Sequence, residues 1–421
     1  MEEFIQPTIF LIAIIVLARS VALLSRRFGL PAIAIQLLTG IFLGPSLLNL
    51  LGTPIVVGTW GSIPPTLIHN ILKILAEIGL IQLMFLAGLQ TDWQGLKKTL
   101  ESIFFTAISG FVLTAVIVAI ITRSFVDRWA EALGVSAIMV SMSFGISVYH
   151  FNQMRLLGSH MTNLVLGSAV ISGLLAILLM IASLTTNYAM AFGAFKATIA
   201  GSWFLGKLIM FLAIAYYLMS RFLKLAERIG FQKRPLQMLI GYLLLVASLY
   251  AWAAMHFGSF AGVGVASLGG MLLRMSKLEM KEKITKGFES VLTSIPVGVL
   301  FIVLGMEVNF KEVGPHLIFL AVLFATVVVT KLFGCWITTH KVYESSRERS
   351  LIMPGALPQG EIGMLIAAYI YSRGVLNPSN FNLSIIVVVI LTMVVPVLIK
   401  IISVRFNVQA APLRVAEFKN R

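Results

Sequence analysis

The chain has 421 residues, 58% of them hydrophobic and only 12% charged, with a formal net charge of +15 at pH 7. That composition excludes an ordinary soluble domain and indicates a polytopic membrane protein. A single cysteine, Cys335, excludes an internal disulfide framework and any multi-cysteine metal site.

Apolar runs of bilayer length recur along the whole chain, without the ten-residue alternation of barrel strands. They predict an all-α fold of about thirteen transmembrane helices, at 7–24, 30–50, 71–90, 99–122, 130–151, 161–186, 193–221, 235–257, 260–274, 290–307, 315–340, 350–372 and 380–405. The first run follows Glu2 and Glu3 and has no basic leader or small-residue cleavage site, so it reads as a retained helix. The second and ninth are rich in glycine and the least regular.

Alternate loops differ in basic residues. One set holds Arg26, Arg27, Lys97, Lys98, Arg155, Lys233, Arg234, Lys341, Arg347 and Arg349 with further lysines and arginines; the other holds Arg123, Arg128, Lys196, Lys311 and Arg373. The asymmetry predicts a cytoplasmic location for the first set, with the N-terminus outside and the C-terminus inside. It also accounts for the net charge, so no nucleic-acid partner is expected. The stretch 274-RMSKLEMKEKITKGFE-289 reads either as a basic amphipathic helix on the inner surface or as a solvated linker.

The sequence repeats itself. In 83-LMFLAGLQTDWQGL-96 and 300-LFIVLGMEVNFKEV-313, Gly88 matches Gly305, Asp92 matches Asn309 and Trp93 matches Phe310, each pair 217 residues apart. Further on in each half come 141-SMSFGISV-148 and 357-LPQGEIGM-364 at nearly the same separation. Equivalent segments are seven apart, an odd number, which predicts two inverted repeats with a broken helix in each. The predicted units are an N-terminal six-helix repeat at 1–190, a linker helix and basic loop at 191–234, an inverted six-helix repeat at 235–405, and a cytoplasmic tail at 406–421.

Pro354, Pro358, Gly355, Gly360, Gly363 and Glu361 crowd into 354-PGALPQGEIG-363, within the twelfth apolar segment. Prolines remove backbone donors and glycines release the chain from helical angles. Backbone groups freed at membrane depth need partners in protein or a wet cavity. In the inverted arrangement the breaks at Ser143-Phe144-Gly145 and Pro358-Gln359-Gly360 face each other near the midplane. Half-helix N-termini there suit anions and C-terminal carbonyls suit cations. Ser141, Ser143 and Ser147 either add hydroxyl ligands or bond locally, as serines in membrane helices commonly do.

Few ionisable groups lie near membrane depth: Arg19, Lys73, Glu77, Lys207, Lys331 and Glu361. Such groups are costly there and are functional candidates. Lys73 and Glu77 are spaced i,i+4 and suit a structural pair, and Arg19 suits snorkelling to the inner surface. Lys331 requires a carboxylate partner, an anion, or a neutral state, and Glu361 on the adjacent segment is the obvious partner. His150 and His160 bracket a cytoplasmic helix end, where a surface role is the simpler reading than a pH sensor. No metal-ligand cluster, hydrolase triad or phosphate loop appears, so no enzyme activity, metal or cofactor is expected.

Five blocks, 30-LPAIAIQLLTGIFLGPSLL-48, 75-LAEIGLIQLMFLAGLQTD-92, 264-GVASLGGMLL-273, 300-LFIVLGMEV-308 and 359-QGEIGMLIA-367, resemble the cation:proton antiporter superfamily, in the branch of bacterial sodium/proton exchangers and potassium-efflux proteins. The resemblance covers the second to the thirteenth segment. It implies a six-helix core with crossing broken helices that slides against a dimerisation domain, usually in a homodimer of a bacterial plasma membrane. It further implies exchange of sodium or potassium for protons by alternating access.

One departure is large. Family members carry a Thr-Ser type sequence in the first broken helix and an Asp-Asp or Asn-Asp pair in the next segment. Here the first is 141-SMSFG-145, and in 168-SAVISGLLAIL-178 Ser172 and Gly173 stand at the acidic positions. Lys331 resembles the lysine that pairs with the missing carboxylate. Competitive exchange needs one titratable anion, which serine and glycine do not supply. The expected transport residues are therefore Glu361, Lys331, Ser143, Ser147, Ser172 and Gln359, with Gly145, Pro358 and Gly360 shaping the backbone breaks. Two alternatives remain: an anion or solute carrier built on Lys331, and a regulatory or assembly subunit that keeps the fold without transporting.

Overall fold

The computed structural model describes residues 2–27, 32–49, 65–90, 100–153, 160–228, 296–342 and 361–405, with isolated positions between them that include Gly270, Gly355, Leu357 and Gln359. The predicted segments at 235–257 and 260–274, the 274–289 stretch and the 406–421 tail lie outside the described residues apart from such isolated positions.

The described helices are α1 (Glu2–Arg27), α2 (Ala32–Leu43), α3 (Pro65–Gln90), α4 (Leu100–Arg123), α5 (Trp129–Val140), α6 (Phe144–Gln153), α7 (His160–Phe192), α8 (Ala194–Arg228), α9 (Pro296–Met306), α10 (Leu317–Val342), α11 (Glu361–Ser372) and α12 (Pro378–Arg405). Among the described residues, five stretches are long and apolar enough to cross a membrane: Leu100–Arg123, Trp129–Ser147, Thr162–Phe192, Gly314–Ile337 and Pro378–Val395. The helical reading omitted one detail, a two-residue antiparallel pairing of β1 (Ile55–Val56) with β2 (Ser62–Ile63) between α2 and α3.

Helix ends follow local chemistry. α2 stops well short of the predicted 30–50 span because Gly44-Pro45 interrupts it, and the chain turns through Asn49 at φ 53°. α7 and α8 run longer than predicted and are separated by Gly193 alone, whose φ of 88° lies where a side chain is disfavoured. In α4, Glu101 in the first turn and Arg123 in the last complement the helix dipole. Phe104, Phe105, Val112, Val116 and Ile120 are exposed on that helix, while Ile103, Thr106, Ala107, Thr114 and Val118 are buried. Large apolar side chains thus face the surroundings and small ones face protein, the pattern of a helix solvated by lipid.

Two packed groups emerge. α1, α2, α3 and α9 pack together, and α4, α5, α6, α7, α10, α11 and α12 form the second group. They touch where α3 meets α6 and where α2 meets α12. The Trp129–Ser147 stretch is 94% buried against 33% for Leu100–Arg123, which places the first broken helix at the centre of its group.

Glycine allows the closest crossings. A Cβ on Gly305 of α9 would lie 2.9 Å from the Cα of Gly40 in α2, and one on Gly270 would lie 3.0 Å from the carbonyl carbon of Gly88 in α3. A Cβ on Gly334 of α10 would lie 2.6 Å from the Cα of Gly110 in α4. Beside that last crossing Ser109 Oγ donates to the Gly334 carbonyl at 2.9 Å, and Thr114 Oγ1 donates to Thr330 Oγ1 at 3.0 Å. Small residues let backbones approach, and hydroxyls then supply the adhesion that the hydrophobic effect does not provide in lipid.

Candidate functional site

α5 ends at Val140, and Ser141 leaves helical geometry at φ −58° and ψ 140°. Its last carbonyls lose their intrahelical donors, and at membrane depth no water replaces them. Two distant side chains do. Lys331 Nζ, 4% exposed on α10, donates to the Ser141 carbonyl at 2.6 Å. Gln359 Nε2 donates to the Met139 carbonyl at 2.7 Å. Lysine and glutamine from the second half of the chain therefore cap the carbonyl end of the first half's broken helix.

The chain resumes as α6 at Phe144. Ser143 Oγ accepts from the Ile146 N–H at 3.1 Å, an N-cap, and Ser147 Oγ donates to the Ser143 carbonyl at 2.6 Å. Ser141 Oγ donates to the Ile138 carbonyl at 2.7 Å. All three serines are buried, and their hydroxyls serve the break itself. Gly145 packs on α3, where a Cβ would crowd Met84 and stand 3.0 Å from Leu83 Cγ.

On the opposing side Gln359 is fully buried, and its carbonyl accepts from the Thr392 hydroxyl of α12. Its Oε1 is buried with no hydrogen-bond partner among the described residues. Gly363 allows α11 to cross α5, since a Cβ there would lie 2.7 Å from Ser141 Oγ and 3.2 Å from the Ile138 carbonyl oxygen. Glu361 is the first residue of α11. Its side chain, like Pro354, Pro358 and Gly360, lies outside the described residues.

Ser172 and Gly173 are buried on α7, and Gly173 faces α11 at the crossing. A Cβ on Gly173 would lie 2.7 Å from Ile362 Cδ1, so a branched alkyl group from α11 closes on the position where the resemblance called for an acid. The structure thus brings Ser141, Ser143, Ser147, Gln359 and Lys331 together. Among its described contacts Lys331 meets the partial negative charge of a helix C-terminus, rather than the carboxylate, anion or neutral state expected from the sequence. Among the described residues no group of three His, Cys, Asp or Glu is placed to hold a metal ion.

One tether at the far end of α5 was missed. Glu131, 3% exposed, accepts from the Asn377 N–H and from Asn380 Nδ2, both at 2.9 Å, and lies 3.6 Å from Arg128. Arg128 also donates to the Val375 carbonyl at 3.0 Å. These bonds tie the start of α5 to the turn between α11 and α12, so the two broken helices are joined at both the crossing and one end. In the sequence, Arg128 reads only as a loop charge, and Glu131, at the start of the predicted 130–151 segment, is not singled out.

Comparison with known proteins follows the same lines. The family described as sodium/hydrogen exchanger, transmembrane, matches residues 11–405. The chain is 26% identical over 387 residues to a Na(+)/H(+) antiporter of Enterococcus hirae, covering 90% of this chain and 93% of that one. It is 24% identical over 393 residues to the Na(+)/H(+)-K(+) antiporter GerN of Bacillus cereus, covering 93% and 95%. Its fold is similar to that of the sodium proton antiporter MjNhaP1 of Methanocaldococcus jannaschii, with a TM-score of 0.69 at 15% identity over 98% of this chain and 100% of that one.

Proposed function

The chain belongs to the transmembrane sodium/hydrogen exchanger family, and from that premise we propose that it is a secondary antiporter exchanging Na+ or K+ for protons by alternating access. The observation that carries this reading is the crossing: a helix broken at Ser141, its carbonyl end capped by Lys331 and Gln359, beside the buried Oε1 of Gln359, which has no hydrogen-bond partner among the described residues. A buried acceptor oxygen of that kind is a ready ligand for a dehydrated cation.

A neutral amide does not couple cation to proton, and neither do Ser172 and Gly173. Glu361 is the carboxylate we assign to that role. It begins α11, next to Ile362, which reaches the Gly173 position. In this mechanism Glu361 holds either the cation or a proton, Gln359 Oε1 contributes a second oxygen, and Ser143 and Ser147 hold the opposing break in shape. Lys331 keeps the α5 carbonyl end neutralised while the site is empty of cation.

The inverted repeat of two six-helix units within a thirteen-helix chain is supported by the paired glycine crossings. Gly40 meets Gly305 and Gly270 meets Gly88, and the repeat period maps Gly88 onto Gly305. Homodimer formation and an outside N-terminus complete the reading. The anion-carrier alternative has less support, because the Lys331 ammonium is already engaged by the Ser141 carbonyl.

The test is flux. Purified protein in proteoliposomes loaded with a pH dye should change internal pH when NaCl or KCl is added outside, and Glu361→Gln should abolish the change. No cation-dependent proton flux in the wild type refutes antiport. Normal exchange by Glu361→Gln refutes the site.

A further inference from the structure

A cavity of about 450 Å³ lies between the two packed groups, walled by α3 and α9 on one side and by α11 and α12 on the other. Ser372 at the end of α11 and Glu307 just past the end of α9 mark one end of it, on the side of Arg128 and the α11–α12 turn. Met364 marks the other end, three residues along α11 from Glu361, or about 4.5 Å of helical rise. On the other side of the crossing α6 closes on α3, where Gly145 meets Leu83 and Met84. The cavity therefore reaches from the α11–α12 turn to within a helical turn of residue 361, the position assigned to exchange, while α6 packs on α3 at Gly145 on the other side of the crossing.

Lys73 and Glu77 both line this cavity. They sit one turn apart on α3, with Glu77 about 6 Å deeper along the helix axis. Glu77 is half-buried and Lys73 exposed. The i,i+4 spacing reads in the sequence as a structural pair, but a structural pair at this depth has no need of a water-sized cavity beside it. α3 belongs to the group that does not carry the broken helices, so the pair does not travel with the site.

We propose that Glu77 and Lys73 form a charged selectivity step in a one-sided vestibule, where Glu77 draws a hydrated monovalent cation toward Glu361 and Lys73 opposes it. Resting on the antiport reading above, this adds a residue pair that sets affinity from one face. The pair acts through space. A unit charge about 10 Å from the ion changes its local concentration on the order of 2- to 20-fold between water-like and protein-surface dielectric, and the effect weakens with salt.

The experiment measures the apparent KM for Na+ and K+ from each face, in intact cells and in everted vesicles. Glu77→Gln should raise the KM about 2- to 20-fold from the cavity face only, with the maximal rate held within about twofold, and Lys73→Gln should lower it. In parallel, Ala368→Cys, on the exposed lining, should react with a membrane-impermeant maleimide from that face alone, with buried Cys335 as the unreactive internal reference. Equal KM values for wild type and both variants overturn the charge pair. Failure of the impermeant reagent to reach position 368 overturns the vestibule, since a lipid tail then fills the cavity. If the wild type exchanges no cation, the antiport reading falls, and the labelling result still decides whether a water-filled vestibule exists.

Discussion

Gly363→Ala tests the crossing most cleanly because the added atom has a defined neighbour. The new Cβ would stand 2.7 Å from Ser141 Oγ and 3.2 Å from the Ile138 carbonyl oxygen. Ser141 Oγ is itself held at 2.7 Å by that carbonyl, so it gives way only by breaking its bond, at a cost of about 1 kcal/mol. The carbonyl belongs to α5 and yields by shifting the helix, which adds about 1–3 kcal/mol as overpacking does elsewhere. Against this stands a gain of at most about 1 kcal/mol from replacing glycine by alanine in a helix. The net expectation is destabilisation by about 1–3 kcal/mol. Thermal unfolding of detergent-purified protein, followed by tryptophan fluorescence, reads it as a fall in Tm. Ser141→Ala removes the clashing oxygen, so the double variant should lose less than the sum of the singles, with a coupling of about 1 kcal/mol. An unchanged Tm for Gly363→Ala, or strict additivity in the double variant, refutes the crossing as described.

Lys331→Gln should slow exchange roughly 10-fold or more in the proteoliposome assay, since a charge-assisted bond to the Ser141 carbonyl contributes about 1.5–3 kcal/mol; a rate equal to wild type contradicts its role. Gly334→Val should abolish recovery of monodisperse protein by gel filtration, because its Cβ meets the Gly110 backbone, whereas Gly110→Ala should be tolerated because its own Cβ meets nothing within 4 Å. Glu131→Ala should lower stability by about 2–4 kcal/mol by leaving the Asn377 N–H and Asn380 Nδ2 without their acceptor, and Glu131→Gln should cost less; equal Tm values for the two variants contradict the tether.

Part of the crossing was legible. The prolines around Gln359 cannot continue a helix without cost, and the repeat period pointed from them to 141–148. The predicted break at Ser143-Phe144-Gly145 was set too late: the chain leaves helical geometry at Ser141 to Ser143, and Phe144 and Gly145 already belong to α6, which Ser143 caps. Lys331 stood out for the same reason, a charge where charges are expensive. Its described partner did not, because a backbone carbonyl has no sequence signal. Glu131 escaped notice because it falls at the very start of the predicted 130–151 segment, beside Arg128; its acceptor role depends on Asn377 and Asn380, some 250 residues away. The glycine crossings were half-visible. Gly88 and Gly305 entered through the repeat, but Gly40, Gly110 and Gly334 looked like ordinary small residues in apolar runs until their partners were placed. The short α2 was predictable in principle from Gly44-Pro45, yet hydropathy carried the predicted span past it.

The central claim is that a cation and a proton compete for Glu361 at the crossing. It is tested most directly by mixing purified protein in weakly buffered detergent solution with Na+ or K+ while a pH indicator records proton release. Up to one proton should be released per cation bound, and none in Glu361→Gln. Cation binding without proton release, or undiminished release from Glu361→Gln, would contradict it.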